Sequence, residues 1–352
     1  MKKIKKNTEN YYIDFLRFIF SFIILFYHSW LFTGNFGNGL FNAGYYGVDF
    51  YFIVTGYLMM NSISKKKEGK DTLKSTFQYI YNKIKRLFPS LIVCFLVGII
   101  FAYGRNVLDI RLLLSNRIIG ELLQLGIFGY DMTINVSWWY ISAMLFVLMF
   151  LYPLAKKYKG KYIYYICPLI LFITLGLIRK LDININDPLC WTFIFRNGFY
   201  KALIFIILGN ISFELSKKIQ KQKFNEKQKI IITIVETLIY LLLILSMHFD
   251  YFGSILMALL FTINIAITFS NQSLTSDLFK SSFWTKLGKF GFYIYLTHMS
   301  IRVYLSRHNH YRYRIMLLYF CLISIVVSAF CYFIVEVLFV KLKKKYHRNN
   351  CS

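Results

Sequence analysis

Charge is what this sequence has least of. Only 16% of its 352 residues are charged, and 16 Asp or Glu stand against 42 Lys or Arg. Apolar residues make up 57% and aromatics 20%. That balance excludes an ordinary soluble domain, which needs more polar surface. The 6 cysteines form no CxxC pair and no Cys/His spacing. Cys94, Cys167, Cys321 and Cys331 fall in apolar runs, Cys190 in a loop and Cys351 in the tail. A disulfide framework is therefore not expected, nor a zinc site or other bound metal. No linker or low-complexity segment divides the chain, and it has no internal repeat of the transporter kind. One domain over 1–352 is expected, with a basic cytoplasmic tail at 341–352.

What the sequence does have is a series of apolar runs of about 18 residues, each a candidate membrane span. The expected fold is all-α, a polytopic bundle of ten spans near 13–33, 43–62, 89–104, 138–155, 162–179, 199–215, 229–247, 252–270, 288–306 and 315–340. The stretch 118–130 is broken by Glu121, Gln124 and glycines. It is expected as an interfacial or re-entrant piece, with an eleventh crossing as the other reading. The net charge of +26 lies in short clusters between the runs. That is the pattern of loops retained inside, not of a nucleic-acid surface. KKIKK, KKKEGK through NKIKR, KKYKGK, KKIQKQKFNEK, the 280–289 loop and KLKKKYHR all fall on one side when both termini are cytoplasmic. KKIKK before an apolar run resembles a signal peptide. The run is too long, carries Asp14 and Arg17 and lacks a small-residue cleavage site, so it reads as a retained first span. These features together describe a multi-pass protein of the cell membrane.

An ionisable side chain at the centre of a span costs roughly 2.5–3.5 kcal/mol and so marks a partner, a cavity or a function. The candidates are Arg17, His28, Asp49, Glu214, Glu236, His298 and Glu336. In YYIDFLRFIFSFIILFYHSWLF (11–32), Asp14 and Arg17 lie near the inner end. His28, eleven residues beyond Arg17, is about 16 Å farther out. Asp49 begins the second span, which runs back inward, so it shares the outer half with His28. An imidazole–carboxylate pair is expected, in which Asp49 orients His28. Simpler readings stand beside each residue. Arg17 snorkels inward beside Asp14, Asp49 sits among headgroups, and His28 is an interfacial histidine beside Trp30. Trp138 and Trp139 belong to an interfacial belt, and glycines 44, 47 and 56 are close-packing positions. Glu214, Glu236 and Glu336 lie at span ends or packing contacts. His298, mid-span in GFYIYLTHMS, is either neutral and hydrogen-bonded or lines the same cavity as His28.

Five motifs, in order, resemble those of the acyltransferase 3 family of integral membrane proteins. Arg17, ten residues and His28 resemble its R-x10-H signature. GVDFYFIVTG (47–56) resembles GVDxFFVxSG, with Thr55 where Ser is usual. FQYIYNKIKRLFP (77–89) resembles an F…R..R..P segment, with Arg86 and Pro89 matching and Lys83 replacing the first arginine. SWWYISAMLFVLMFLYP (137–153) resembles the tryptophan-containing span, and GFYIYLTHMSI (291–301) the late Y-L-x-H motif. The resemblance covers about 10–340. It implies transfer of an acyl group, most often acetyl, from a cytoplasmic acyl-CoA to a hydroxyl of a cell-surface or exported polysaccharide or glycan. Ala143 stands where many members carry the Glu of a Ser-x-Glu. In this the chain resembles a branch of smaller, membrane-only members that includes modifiers of exopolysaccharides.

Under that resemblance His28 is the expected general base, or a covalent acyl carrier, with Asp49 behind it. Lys83 and Arg86, three apart on a short helix before Pro89, are expected to bind the donor's phosphates. The other reading of that helix is an amphipathic segment held on anionic lipid. Arg17 would guide the pantetheine arm, and Trp138, Trp139 and His298 would line the cavity. No tightly bound cofactor is expected, since acetyl-CoA or another acyl-CoA is a substrate. The expected partners are that donor, a carbohydrate acceptor, the lipid bilayer and cell-envelope polysaccharide assembly proteins, with no nucleic acid. Lysine and isoleucine richness suits an AT-rich bacterial genome. The competing classes are a transporter or flippase of a lipid-linked glycan, and a membrane scaffold without activity.

Overall fold

Apolar runs become helices because hydrocarbon offers no partner for a backbone N–H or C=O, and a helix satisfies both within one segment. A computed structural model describes residues 10–32, 40–65, 71–103, 116–130, 132, 134–307 and 312–339. The expectations for KKIKK, for 66–70 and for the tail 341–352 lie outside the described residues. The helices are α1 (Tyr11–Tyr27), α2 (Gly47–Ser64), α3 (Thr72–Tyr103), α4 (Asn116–Leu122), α5 (Trp139–Tyr158) and α6 (Cys167–Lys180). There follow α7 (Asn197–Gln220), α8 (Glu226–Phe249), α9 (Ser254–Ser270), α10 (Thr275–Leu278), α11 (Ser282–Arg307) and α12 (Tyr313–Tyr332). A hairpin of β1 (Trp191–Thr192) and β2 (Phe195–Arg196) is the one sheet among the described residues. Two helix starts, those of α1 and α8, carry side-chain caps. The Asn10 side chain accepts from the Ile13 N–H at 3.1 Å, and Asn225 with Gln228 forms a capping box on α8.

Among the described residues, seven helical stretches are long and apolar enough to cross a membrane: Tyr11–Trp30, Thr72–Tyr103, Val136–Tyr158, Tyr162–Lys180, Asn197–Gln220, Glu226–Phe249 and Tyr313–Leu338. α9 is apolar but shorter. α2 and α11, two of the ten expected spans, are helices but are not among the seven. Both face other helices and hold buried polar residues there, Asp49 and Thr55 on α2 and His298 on α11. A helix surrounded by protein has less need of an apolar surface. The stretch 118–130 holds the end of the seven-residue α4 and a turn at Gly126–Phe128. A helix of that length rises only about 10 Å and cannot cross.

One boundary differs from the expectation. A short helix was expected to end before Pro89, but α3 runs through Pro89 as one helix of 32 residues. Proline removes the hydrogen bond to the carbonyl four residues back. The inward-packed face of Ile80, Leu91, Cys94 and Phe95 continues across the gap, so tertiary packing holds the helix together.

Two parallel helix pairs set the geometry of the interior. α2 lies along α7, where Gly56 and Gly209 bring the backbones together. A Cβ on Gly56 would collide with the Ile206 carbonyl, and one on Gly209 with the Ile53 carbonyl. α1 lies along α11, where a Cβ on Gly288 would sit 2.7 Å from the Asp14 carbonyl oxygen, and one on Gly291 3.0 Å from the Phe18 Cα. Small residues allow this approach where lipid supplies no hydrophobic drive between helices. Gly56→Val is expected to destabilise the protein by about 1–3 kcal/mol through overpacking against backbone. Gly160→Val, at a position with open space around it, should be the neutral control. Thermal midpoints of the detergent-solubilised variants would check both.

Candidate functional site

The α1–α11 pair carries its contacts along a regular stripe. Asp14 meets Gly288 at one end. Fourteen residues on in each helix (28 − 14 and 302 − 288), His28 meets Arg302, whose Nη1 donates to His28 Nδ1 at 3.0 Å. Fourteen residues are two heptads, so a parallel pair returns to the same seam. His298, four residues before Arg302 and on the same face, places its ring 5.2 Å from that of His28. The Arg302 guanidinium lies 5.5 Å from the Trp30 ring centroid, a cation–π distance. Two imidazoles and a guanidinium thus converge where α1 gives way to a 3₁₀ turn at His28–Phe32.

The hydrogen bonds fix how each imidazole is used. A guanidinium can only donate, so His28 Nδ1 is an acceptor and its proton lies on Nε2. His298 Nδ1 faces two carbonyl oxygens, Tyr295 O at 2.8 Å and Ile294 O at 3.2 Å. Carbonyls only accept, so this Nδ1 carries the hydrogen. His298 Nε2 is buried and has no hydrogen-bond partner among the described residues.

The segment 134–138 clamps α11 around His298. Asn135 Nδ2 donates to the Leu296 carbonyl, and Trp138 Nε1 reaches the same oxygen at 3.3 Å. Tyr295 Oη donates to the Ser137 carbonyl at 2.8 Å. Ser300 Oγ donates to the Ile134 carbonyl at 2.8 Å. The clamp is itself anchored by the buried Glu121 carboxylate, which accepts the N–H groups of Ile134 at 2.9 Å and Asn135 at 2.6 Å. Trp138 is therefore buried bracing for the His298 turn. Trp139 is also buried, over Gly198 and 6.0 Å from Phe52.

The expected Asp49–His28 pair is not what the structure builds. Asp49 Oδ1 pairs with Lys201 Nζ at 2.9 Å, with the two side chains 1% and 2% exposed. Lys201 also donates to Asn186 Oδ1 at 3.3 Å and lies 5.3 Å from the Tyr45 ring. The reason is angular. Asp49, Ile53 and Gly56 occupy one face of α2 at i, i+4 and i+7, and that face meets α7. Lys201, Phe205 and Gly209 form the matching face of α7. Depth placed Asp49 level with His28, but its azimuth turned it to another helix.

Arg17 sits a turn and a half into α1, its Nη1 2.7 Å from Asp14 Oδ1. Asp14 Oδ2 accepts from Thr285 Oγ1 at 2.9 Å. Lys83 is half-buried and Arg86 exposed on α3, and Lys83 lies within electrostatic reach of both Arg86 and Arg17. The structure thus brings Arg17 and the α3 pair together. From Arg17 a line of tyrosines leads to the imidazoles. Tyr51 Oη donates to the Arg17 carbonyl at 2.5 Å. The Tyr51 ring is 6.2 Å from Tyr140 and from Tyr295, which lie 5.6 Å apart. Tyr295 is 5.7 Å from the His298 ring.

The three glutamates have local partners. Buried Glu236 accepts from Thr268 Oγ1 at 2.5 Å and Thr275 Oγ1 at 2.9 Å. Glu214 accepts from Tyr164 at 3.3 Å, and Glu336 pairs with Lys289 at 2.5 Å. Sequence reasoning missed Arg302, Lys201 and the three tyrosines. Arg302 had a usable signal in its i+4 spacing from His298. Lys201 lies inside the expected span 199–215 and so carried the signal of an ionisable group within a span, and tyrosines are too common among 28 to stand out.

A family model described as an acyltransferase domain matches residues 10–336. No curated protein and no solved structure matches the chain.

Proposed function

The chain belongs to the acyltransferase family whose model spans its residues 10–336, and from that premise we propose a membrane-bound O-acyltransferase. It moves an acyl group, acetyl in the first instance, from a cytoplasmic acyl-CoA to a hydroxyl of a cell-surface or exported polysaccharide. The observation that carries the reading is the unbroken line of contacts from Arg17, with Lys83 and Arg86 beside it, through Tyr51, Tyr140 and Tyr295 to His298, His28 and Arg302. Cations at one end suit the donor's phosphates, which stay in water at the cytoplasmic face. The pantetheine arm passes Arg17 and the tyrosines and presents its thioester to the imidazole pair. The acceptor hydroxyl arrives from the opposite side. Oxygen attack on the thioester carbon develops an oxyanion, which the proton on His28 Nε2, held there by Arg302, is placed to stabilise.

Labelled acetyl-CoA added to vesicles containing the full chain should release free coenzyme A and label an envelope glycan. A flippase would do neither. In the same assay Arg86→Ala is expected to raise the apparent KM for the donor about tenfold with little change in kcat, the loss of one charge-assisted hydrogen bond. An unchanged KM would remove Arg86 from donor binding and favour an anionic-lipid contact.

A further inference from the structure

We infer that His298, not His28, is the base that takes the acceptor's proton; this rests on the acyl-transfer reading above. A neutral imidazole has one nitrogen that donates and one that accepts. The two rings are set oppositely. Arg302 occupies His28 Nδ1, which leaves a donor at Nε2. Backbone carbonyls occupy His298 Nδ1, which leaves a lone pair at Nε2. That lone pair is buried without a partner among the described residues, which costs free energy that a histidine kept only for packing would avoid. It lies on the ring edge away from the α11 backbone, and the neighbouring ring is His28, 5.2 Å away.

The surroundings hold this base still. Bonds from Asn135 and Trp138 to the Leu296 carbonyl, and from Ser300 to the Ile134 carbonyl, bracket His298 on both sides. Glu121 fixes the segment that makes them. Among the described residues, the titratable and charged groups facing His298 are His28, Arg302 and Tyr295. None of them is a carboxylate, so the ring is oriented by its own helix and not by an acid residue behind it.

The step balances without a co-reactant. As the acceptor oxygen bonds to the thioester carbon, its proton passes to His298 Nε2. Collapse of the tetrahedral adduct breaks the C–S bond, and the same proton passes to the leaving sulfur. The products are the ester and the coenzyme A thiol.

His298→Asn separates the base from the packing. Its amide nitrogen can take the place of Nδ1 and donate to the same carbonyls, but nothing takes the place of Nε2. The assay uses membrane vesicles with the full chain, acetyl-CoA as donor and envelope glycan from cells lacking the gene as acceptor. With the variant folded at wild-type level, kcat should fall about 100- to 10,000-fold with the donor KM unchanged. The residual rate should climb with pH where the wild-type rate is level, because hydroxide then replaces the lost base. A kcat within threefold of wild type would overturn the assignment. So would a loss that appears as a raised donor KM with the wild-type pH profile, the mark of a packing role. Wild-type chain that transfers no label would sink the acyl-transfer reading itself, and that control distinguishes the two failures.

Discussion

Asp49→Ala is expected to cost the protein its fold before it touches any chemistry. The substitution leaves Lys201, 2% exposed, with a full charge, one amide contact from Asn186 and the faces of Tyr45 and Phe205. Breaking a buried pair from one side typically costs about 3–5 kcal/mol, because the surviving charge is uncompensated. Little detergent-stable protein should remain. The double variant Asp49→Leu with Lys201→Met should recover most of the loss, since apolar groups of similar volume often replace a buried ion pair at no cost. Size-exclusion profiles and thermal midpoints of the three forms provide the measurement. Normal acyl transfer by the double variant would confine the pair to structure. A stable Asp49→Ala would show that the α2–α7 seam does not depend on it. The sequence alone suggested that Asp49→Asn would slow turnover with donor affinity little changed, because it placed Asp49 behind His28.

His28→Ala should have the opposite signature: a folded protein with little activity. His28 is only partly buried, and its ring bond comes from Arg302, which keeps the Trp30 face. Loss of one donor to a developing oxyanion costs about 100- to 1,000-fold in kcat. Rates measured with labelled acetyl-CoA, at matched amounts of folded protein, decide the matter. Transfer at the wild-type rate would exclude His28 from the site, and a scaffold without activity predicts no transfer from either form.

Much of the helical framework was legible. The apolar runs became helices close to the expected limits, and the close-packing reading of Gly44, Gly47 and Gly56 matches what a Cβ at each would meet. The passage through Pro89 was not legible, since packing overrode a local signal. α2 and α11 were expected as spans and are helices central to the interior, although neither is among the seven stretches long and apolar enough to cross a membrane. At the site, Arg17, Lys83, Arg86, His28 and His298 were named from sequence, and the structure gathers them along one line. The partners were wrong where they depended on rotation about a helix axis: Asp49 went to Lys201, and His28 went to Arg302.

By itself the sequence determined which residues form helices and how far along each helix an ionisable group lies. Every residue advances the axis by the same rise, so depth can be counted. Only the tertiary structure decided which groups face each other and which nitrogen of each imidazole is free. Those depend on the face each helix turns to its neighbour, and glycines at Gly56, Gly209, Gly288 and Gly291 set that by letting particular backbones touch.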